Sequence, residues 1–445
     1  MATLKRTFAL LLALVLCLSI AGCGGKTEKP QQQSSPTGTV AGPTTGTPGT
    51  PGTPGTVPPT TVGLTPEDID LPADGWSLPE VSTVDVGAFG AGGYYDEEDF
   101  VLTFTDISNG TNVVLCSKPG CLHYDASESE KKDCDAYIGI TVSMHYFDGK
   151  VYYVGYLRGS DDRSSLWLQR RNADGTGEEK LGRLASEYIT SETSVSITEC
   201  IFAGDKFYYR ADVMRSSKNE TVAVEDNTDW YLMRMDLNSG KEELLGAFSD
   251  TELPRLLAAR EDALLYYTLQ ILTEEEANNP DLEQEKPTKL CVWADSVKQS
   301  ITLYSEKYKV FRGRGSVLGG KYYYPYYDNP ESGESRYRAY NLVTRQHEDT
   351  NLIGLPEING RYAVCAVDNT YYSYLYDTVT GSVLPSEYDD LVLSAYEANE
   401  DGIILRISQI EKGGIKPYFM ETRYILYSEL EDGLQKTDGI VMPLK

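Results

Sequence analysis

Basic residues are scarce in this chain. Forty Lys and Arg stand against 67 Asp and Glu, a formal net charge of −27 at neutral pH. Such a surface repels phosphate backbones and anionic lipid heads, which argues against nucleic acid as a partner. Histidine is scarcer still, with three residues in 445: His123, His145 and His347. No Gly-x-Ser-x-Gly elbow occurs, so an appended hydrolase of the peptidase type is excluded. No Ser-x-Asp-x-Gly-x-x-Trp box and no EF-hand spacing is present. Acidic clusters at 96–99, 161–162 and 328–334 therefore read as solvated loop charge. No apolar run reaches the ~20 residues that a membrane-spanning helix needs. The longest, Phe8 to Leu18, is far short of that.

What the N-terminus does have is the pattern of a secretory signal. Lys5 and Arg6 form its charged start, Phe8 to Leu18 its apolar core, and Ile20-Ala21-Gly22-Cys23 its end. That end resembles the lipobox of bacterial lipoproteins, with Ile20 where Leu is usual. The resemblance implies cleavage before Cys23 and a diacylglycerol on its thiol. The expected address is the extracytoplasmic side of the cell membrane, held by the lipid anchor alone. Loss of Lys5 and Arg6 with the signal takes the formal charge from −27 to −29. Residues 31–63 are almost wholly Gln, Ser, Thr, Pro, Gly and Val. So little apolar surface cannot offset the entropy of ordering, and a disordered linker is expected. The chain divides into a signal peptide (1–22), a lipidated, low-complexity tether (23–75) and a folded domain (76–445).

The folded part repeats. Aromatic or aliphatic anchors recur at Tyr94-Tyr95, Tyr152-Tyr153, Tyr208-Tyr209, Tyr266-Tyr267 and Tyr322-Tyr323-Tyr324, at intervals of 58, 56, 58 and 56 residues. Weaker members follow at Tyr362-Ala363-Val364 and Ile403-Ile404-Leu405. Each is followed by a second apolar segment that runs into an Asx or Gly turn, most plainly from Trp230 to Gly240. Period-two apolar patterning, Tyr and Val enrichment and Asx/Gly turns are strand and hairpin signals. Even spacing without helical periodicity predicts an all-β chain, a β-propeller. Seven anchors give seven blades, with six or eight the neighbouring counts. A pair of β-sandwiches is the competing architecture, and the regular spacing disfavours it. Ring closure is expected to pair a strand within 81–89 with the last blade, beside residues 439–444.

The turn at Asp236 to Lys241 (Asp-Leu-Asn-Ser-Gly-Lys) resembles the hairpin turn of quinoprotein-type and Tol-system propellers. The chain as a whole resembles bacterial lipoproteins that join a lipobox and tether to a Tyr-rich propeller. The resemblance implies architecture and location, and no chemistry. The Trp that docks a quinone does not follow Gly240, which speaks against that cofactor.

One local constellation carries chemistry. Cys116, Cys121, His123 and Cys134 lie within nineteen residues as C-x4-C-x-H-x10-C. Three thiols and an imidazole suffice for a tetrahedral structural Zn²⁺. The spacing is not that of a standard finger, and Cys-x-His is a tight step for two ligands of one ion. A disulfide among the same cysteines is equally natural outside the membrane, and free thiols are the third option. In each case the role is structural, a staple for a long inter-blade loop. Cys200, Cys291 and Cys365 sit in apolar strand patterns and read as small buried hydrophobes.

No catalytic or cofactor-binding residue stands out. Most of the 33 tyrosines belong to packing. The run at Tyr322, Tyr323, Tyr324, Tyr326 and Tyr327 is the best candidate for a ligand-binding platform, since six consecutive positions cannot all face one core and Pro325 implies an edge or a bend. The expected function is a monomeric, membrane-anchored binding module for a protein or cell-wall glycan. The alternative is a glycan-active enzyme whose paired carboxylates converge at the propeller centre.

Overall fold

Short runs of Tyr, Val, Ile and Leu closed by Asx and Gly make hairpins, and successive hairpins make sheets. The computed structural model describes residues 64–79, 86–123, 127–158, 164–215, 228–272, 276, 282, 285–311, 315–327, 336–352, 354–356, 361–367, 373–387, 391–410 and 417–443. The signal peptide, Cys23 and the linker to residue 63 lie outside the described residues, as do the acidic clusters at 161–162 and 328–334.

The described strands form seven four-stranded antiparallel sheets, and each sheet takes four strands consecutive in sequence. They span 87–114, 141–183, 193–248, 252–307, 316–349, 354–383 and 391–442 and are numbered here as blades one to seven. First strands touch between blades one and two, three and four, four and five, five and six, and seven and one. This is a seven-bladed β-propeller with the first strands innermost.

Every aromatic anchor becomes the second strand of its blade: Gly93–Glu98, Lys150–Arg158, Lys206–Arg215, Ala263–Gln270, Lys321–Tyr326, Tyr362–Val367 and Gly402–Ile410. The segments that run into Asx/Gly turns become the third strands, Thr228–Asp236 among them. The second strands are buried on both faces. In blade three, Phe207, Tyr208 and Tyr209 are all fully buried, alternate residues packing in different clusters. Each blade is sandwiched between two others, so both faces of a central strand are core. Strict alternation of apolar and polar residues gives way to continuous burial for that reason.

Tyrosine hydroxyls carry hydrogen bonds from blade to blade. Tyr95 donates to the Ala173 carbonyl at 3.0 Å, Tyr208 to Glu261 at 3.1 Å and Tyr340 to Leu303 at 3.2 Å. Buried phenols need such partners. Blades three and four are joined by charge as well. Arg210 holds Asp212 at 2.7 Å and Glu199 at 3.3 Å, and Arg255 of blade four also binds Glu199.

The expected ring closure falls partly on residues 81–85 and 444, outside the described residues, and is not seen among the described ones. The strand Gly87–Gly90 pairs only with its own neighbour Gly93–Glu98, and Ile440–Met442 pairs only with Pro417–Leu426. No strand is exchanged between blades one and seven among the described residues; residues 80–85 and 444 lie outside them. Side chains meet at the seam. Tyr94, Ile404, Tyr424 and Met442 form a buried cluster with Phe89 and Ile107 packed on it. The Phe89 and Tyr424 rings meet edge to face at 5.7 Å, and the Phe89 N–H donates to Glu397 Oε2 at 3.1 Å. Gly110 fits here because a Cβ would lie 2.6 Å from the Val441 carbonyl oxygen.

The packed chain also begins before Trp76. Ile69, Leu71 and Trp76 are buried in the cluster shared by blades four and five. Ser77 and Ala259, the latter on the innermost strand of blade four, exchange two backbone hydrogen bonds of 2.8 Å. Arg345 donates to the Ile69 carbonyl at 2.8 Å, and Arg260 donates to that of Asp74. Residues 64–79 thus form a strap across these two blades. Ile69 and Leu71, too few to make a visible pattern in a polar stretch, anchor it.

Candidate functional site

The Cys/His loop connects blade one to blade two, and its local sequence dictates its course. Lys118-Pro119-Gly120-Cys121 is a β-turn: Pro119 occupies the second position, Gly120 has φ +74°, and the Cys121 N–H reaches the Lys118 carbonyl at 3.3 Å. The helical turn Glu128–Lys131 starts at Ser127, whose N–H and hydroxyl both bind the Glu130 carboxylate, a capping box. Its end presents Cys134, whose N–H bonds the Lys131 carbonyl at 2.8 Å. Lys131 is buried against Asp99 and the Phe100 ring. These turns bring Cys116, Cys121, His123 and Cys134 together, with one donor atom from each lying within 4.8 Å of all the others. His123 Nδ1 is 3.6 Å from Cys134 Sγ.

The thiols differ in environment. Burial raises the Cys116 pKa, but hydrogen bonds from the Lys118 and Asp135 backbone and from the Cys134 and Cys121 thiols outweigh it and hold the group below its ordinary value. Cys134 is buried, and its pKa is pushed up to about 12, chiefly by desolvation. Three soft sulfur donors and one imidazole are the donor set of structural zinc. The three cysteines form no disulfide in this structure.

Beside the cluster lies a pocket of about 770 Å³ between blades one and two, with Cys134 in its wall. Blade two supplies Gln169 and Arg171 from its third strand, and the loop supplies Lys132, Asp133, Asp135 and Tyr137. Arg171 is the hub. It donates to the Tyr137 carbonyl at 2.8 Å, to Glu178 Oε2 at 2.7 Å, to the Tyr153 hydroxyl at 3.2 Å and to the Asp135 carbonyl. Gln169 is 2% exposed, and its Nε2 finds no hydrogen-bond partner among the described residues. A buried amide of this kind costs free energy unless something binds it. Sequence reasoning missed Gln169 and Arg171. Their signal is the polar run Gln169 to Asn172 that follows Leu166-Trp167-Leu168 in the same strand.

The tyrosine run is a correction. Tyr322 and Tyr324 are fully buried in the cluster of blades four and five, and Tyr323 is buried against blade six. Both faces of that strand are interior, so consecutive tyrosines can all be core. Pro325 lies opposite Tyr337, past the end of the three-residue first strand Ser316–Leu318. Only Tyr326 and Tyr327 are half-buried. No tyrosine platform is left to a ligand at 322–324.

Cys200, Cys291 and Cys365 are buried within the blades, as their apolar contexts predict. His145 stacks on Phe202 at 4.9 Å, and its Nε2 lies 3.2 Å from the Gly204 carbonyl. His347 packs on Tyr304, its Nδ1 2.7 Å from the Tyr324 hydroxyl. Glu199 and Asp212, carboxylates of the inner part of blade three, are engaged by arginines as described above.

No family model and no curated protein matches this chain. Solved structures are similar to this chain over most of its length. The β-propeller domain of the Trilobed protease from Pyrococcus furiosus, described as having an open velcro topology, is 9% identical with a TM-score of 0.44, over 78% of this chain and 97% of that one. TolB from Acinetobacter baumannii is 13% identical with a TM-score of 0.33, over 80% of each chain. A puromycin hydrolase S511A mutant is 9% identical with a TM-score of 0.47, over 79% of this chain. This chain spans about half (53%) of that hydrolase.

Proposed function

We propose that this protein is a lipid-anchored, extracytoplasmic binding module whose propeller takes up a cell-wall glycan segment in the pocket between blades one and two. The observation that carries the proposal is the unpartnered, buried Gln169 amide in the wall of that pocket. The pocket volume falls in the ~300–1,000 Å³ range of small-ligand sites. Its polar wall mixes an amide with carboxylates, a lysine and the Tyr137 side chain. Groups that donate and accept suit a hydroxyl-rich, uncharged ligand, and a tyrosine offers it an apolar face with a polar tip. The overall negative charge disfavours polyanions. The lipobox-like Ile20-Ala21-Gly22-Cys23 supports the anchor and the address.

The test is calorimetric titration of the purified protein with N-acetylated cell-wall oligosaccharides of two to six sugars, alongside Gln169→Leu. Losing one hydrogen bond in a desolvated site weakens binding roughly tenfold or more, since about 1.4 kcal/mol is one decade. If no oligosaccharide binds, or Gln169→Leu binds equally well, the proposal fails. Binding of peptides in place of sugars would replace the glycan by a protein partner.

A further inference from the structure

We infer that Cys116, Cys121, His123 and Cys134 form a closed Cys₃His zinc site that fastens the loop of residues 115–138 to the junction of blades one and two. The inference rests on the cluster itself and is independent of what the neighbouring pocket binds.

Geometry separates zinc from a disulfide. With Zn–S near 2.3 Å and Zn–N near 2.0–2.1 Å, tetrahedral angles set ligand atoms about 3.8 Å apart for S···S and about 3.6 Å for S···N. The measured His123 Nδ1···Cys134 Sγ separation is 3.6 Å, and all four donor atoms fit within 4.8 Å of one another. A disulfide would draw two sulfurs to about 2.05 Å and give the third thiol and the imidazole no task. Here four donors converge on one centre.

The backbone supplies a second observation. His123 has φ +47°, the left-handed region that non-glycine residues occupy at a cost of ~1–2 kcal/mol. That conformation sets the direction in which the His123 side chain leaves the backbone two residues after Cys121. Strain of this kind persists where the surroundings over-determine it. The supports around the cluster are also in place. Ser117 Oγ binds Asp135 at 2.9 Å, and Lys118 Nζ binds the Asp133 carbonyl at 2.7 Å, so both arms of the loop are tied to each other. Cys134, buried with Val101 and Ala136 and packed against by Tyr137, takes the metal at the edge of the blade-one core.

Binding is an exchange without redox change. Three thiols release three protons to solvent, three Zn–S bonds and one Zn–N bond form, and the neutral imidazole binds through one ring nitrogen. Four protein ligands leave no open position, so the ion is structural and does not activate water. Cys134 is also part of the pocket wall. The ion therefore fixes one side of that pocket through Cys134, Asp135 and the Arg171 hub.

The test uses the full chain purified without added chelator. Elemental analysis should give about one zinc per polypeptide. Replacement by Co²⁺ should give the intense thiolate-to-metal absorption and the d–d bands of a tetrahedral site, which requires no variant. Cys121→Ser should lose the metal, whereas His123→Cys, a conservative replacement of one ligand by another, should keep it. On chelation, amide exchange over 115–138 should rise at least tenfold while that of blades three to six stays unchanged, because a repeat fold confines damage to neighbours. A metal-free protein whose non-reduced mass shows a cysteine linkage within 116–134 would overturn the inference. So would zinc that persists unchanged in Cys121→Ser, or chelation that leaves exchange over 115–138 unaltered.

Discussion

The seam between blades one and seven makes a quantitative demand. Among the described residues no strand is exchanged there, and the contacts seen are chiefly the buried cluster of Tyr94, Ile404, Tyr424 and Met442 with Phe89. Tyr424 is 4% exposed, packs edge to face on Phe89 and reaches Asn399 Oδ1 at 3.3 Å through its hydroxyl. Truncating such a ring to Ala removes transfer energy and leaves a cavity, together about 3–5 kcal/mol. The edge-to-face pair itself accounts for about 0.5–1.5 kcal/mol. Phe89→Ala, Tyr424→Ala and the double variant should therefore show a coupling of that size in urea denaturation. Three of the tryptophans, Trp167, Trp230 and Trp293, lie in blades two, three and four, away from the seam. If the ring unfolds as one body, their fluorescence midpoint shifts with the far-UV signal in Tyr424→Ala. Should Tyr424→Ala cost less than about 1 kcal/mol with zero coupling to Phe89, the seam does not depend on this cluster and the reasoning is wrong.

Two further outcomes follow from other features. His145 is enclosed by Phe202 and Phe147, and burial pushes its pKa down to about 4 against a hydrogen bond to the Gly204 carbonyl that raises it. The folded state then binds fewer protons than the unfolded state between pH 6.5 and 4, so this contribution is complete above pH 6.5 and lost as pH falls toward 4. At 1.36 kcal/mol per pH unit that is about 3 kcal/mol. The stability difference between the protein and His145→Asn should shrink by this amount from pH 7 to pH 4, and a constant difference would show that His145 does not titrate in this way. For the anchor, metabolic labelling with a fatty-acid probe should mark the protein and not Cys23→Ser, and equal labelling of both would refute lipidation at that thiol.

Some of this molecule was legible in its letters. Tyrosine pairs and Asx/Gly turns mark second and third strands because those strands are buried and their hairpin tips need special dihedrals. First and fourth strands carry no such mark. Ser316–Leu318 and Gly354–Pro356 are three residues long, and Ser382–Val383 is two, exposed at the rim. The Cys/His cluster was legible because its members are near in sequence. The pocket was not, since Gln169 and Arg171 meet the 132–138 loop only when blade two folds against it. The tyrosine run misled because the rule that one strand face is exposed does not hold inside a stack of blades. The expected ring-closing pairing falls largely on residues 81–85, which lie outside the described residues.

The strap has a mechanical consequence. Chain entering at residue 64 reaches the packed body on blades four and five, and blade four is the farthest round the ring from the seam. A pull on the N-terminal side therefore passes through the Ser77–Ala259 bonds and the Arg345 and Arg260 contacts before it reaches blade one. Force is delivered to a continuous part of the ring, where backbone bonds and apolar burial share it. The seam between blades one and seven is shielded from tension.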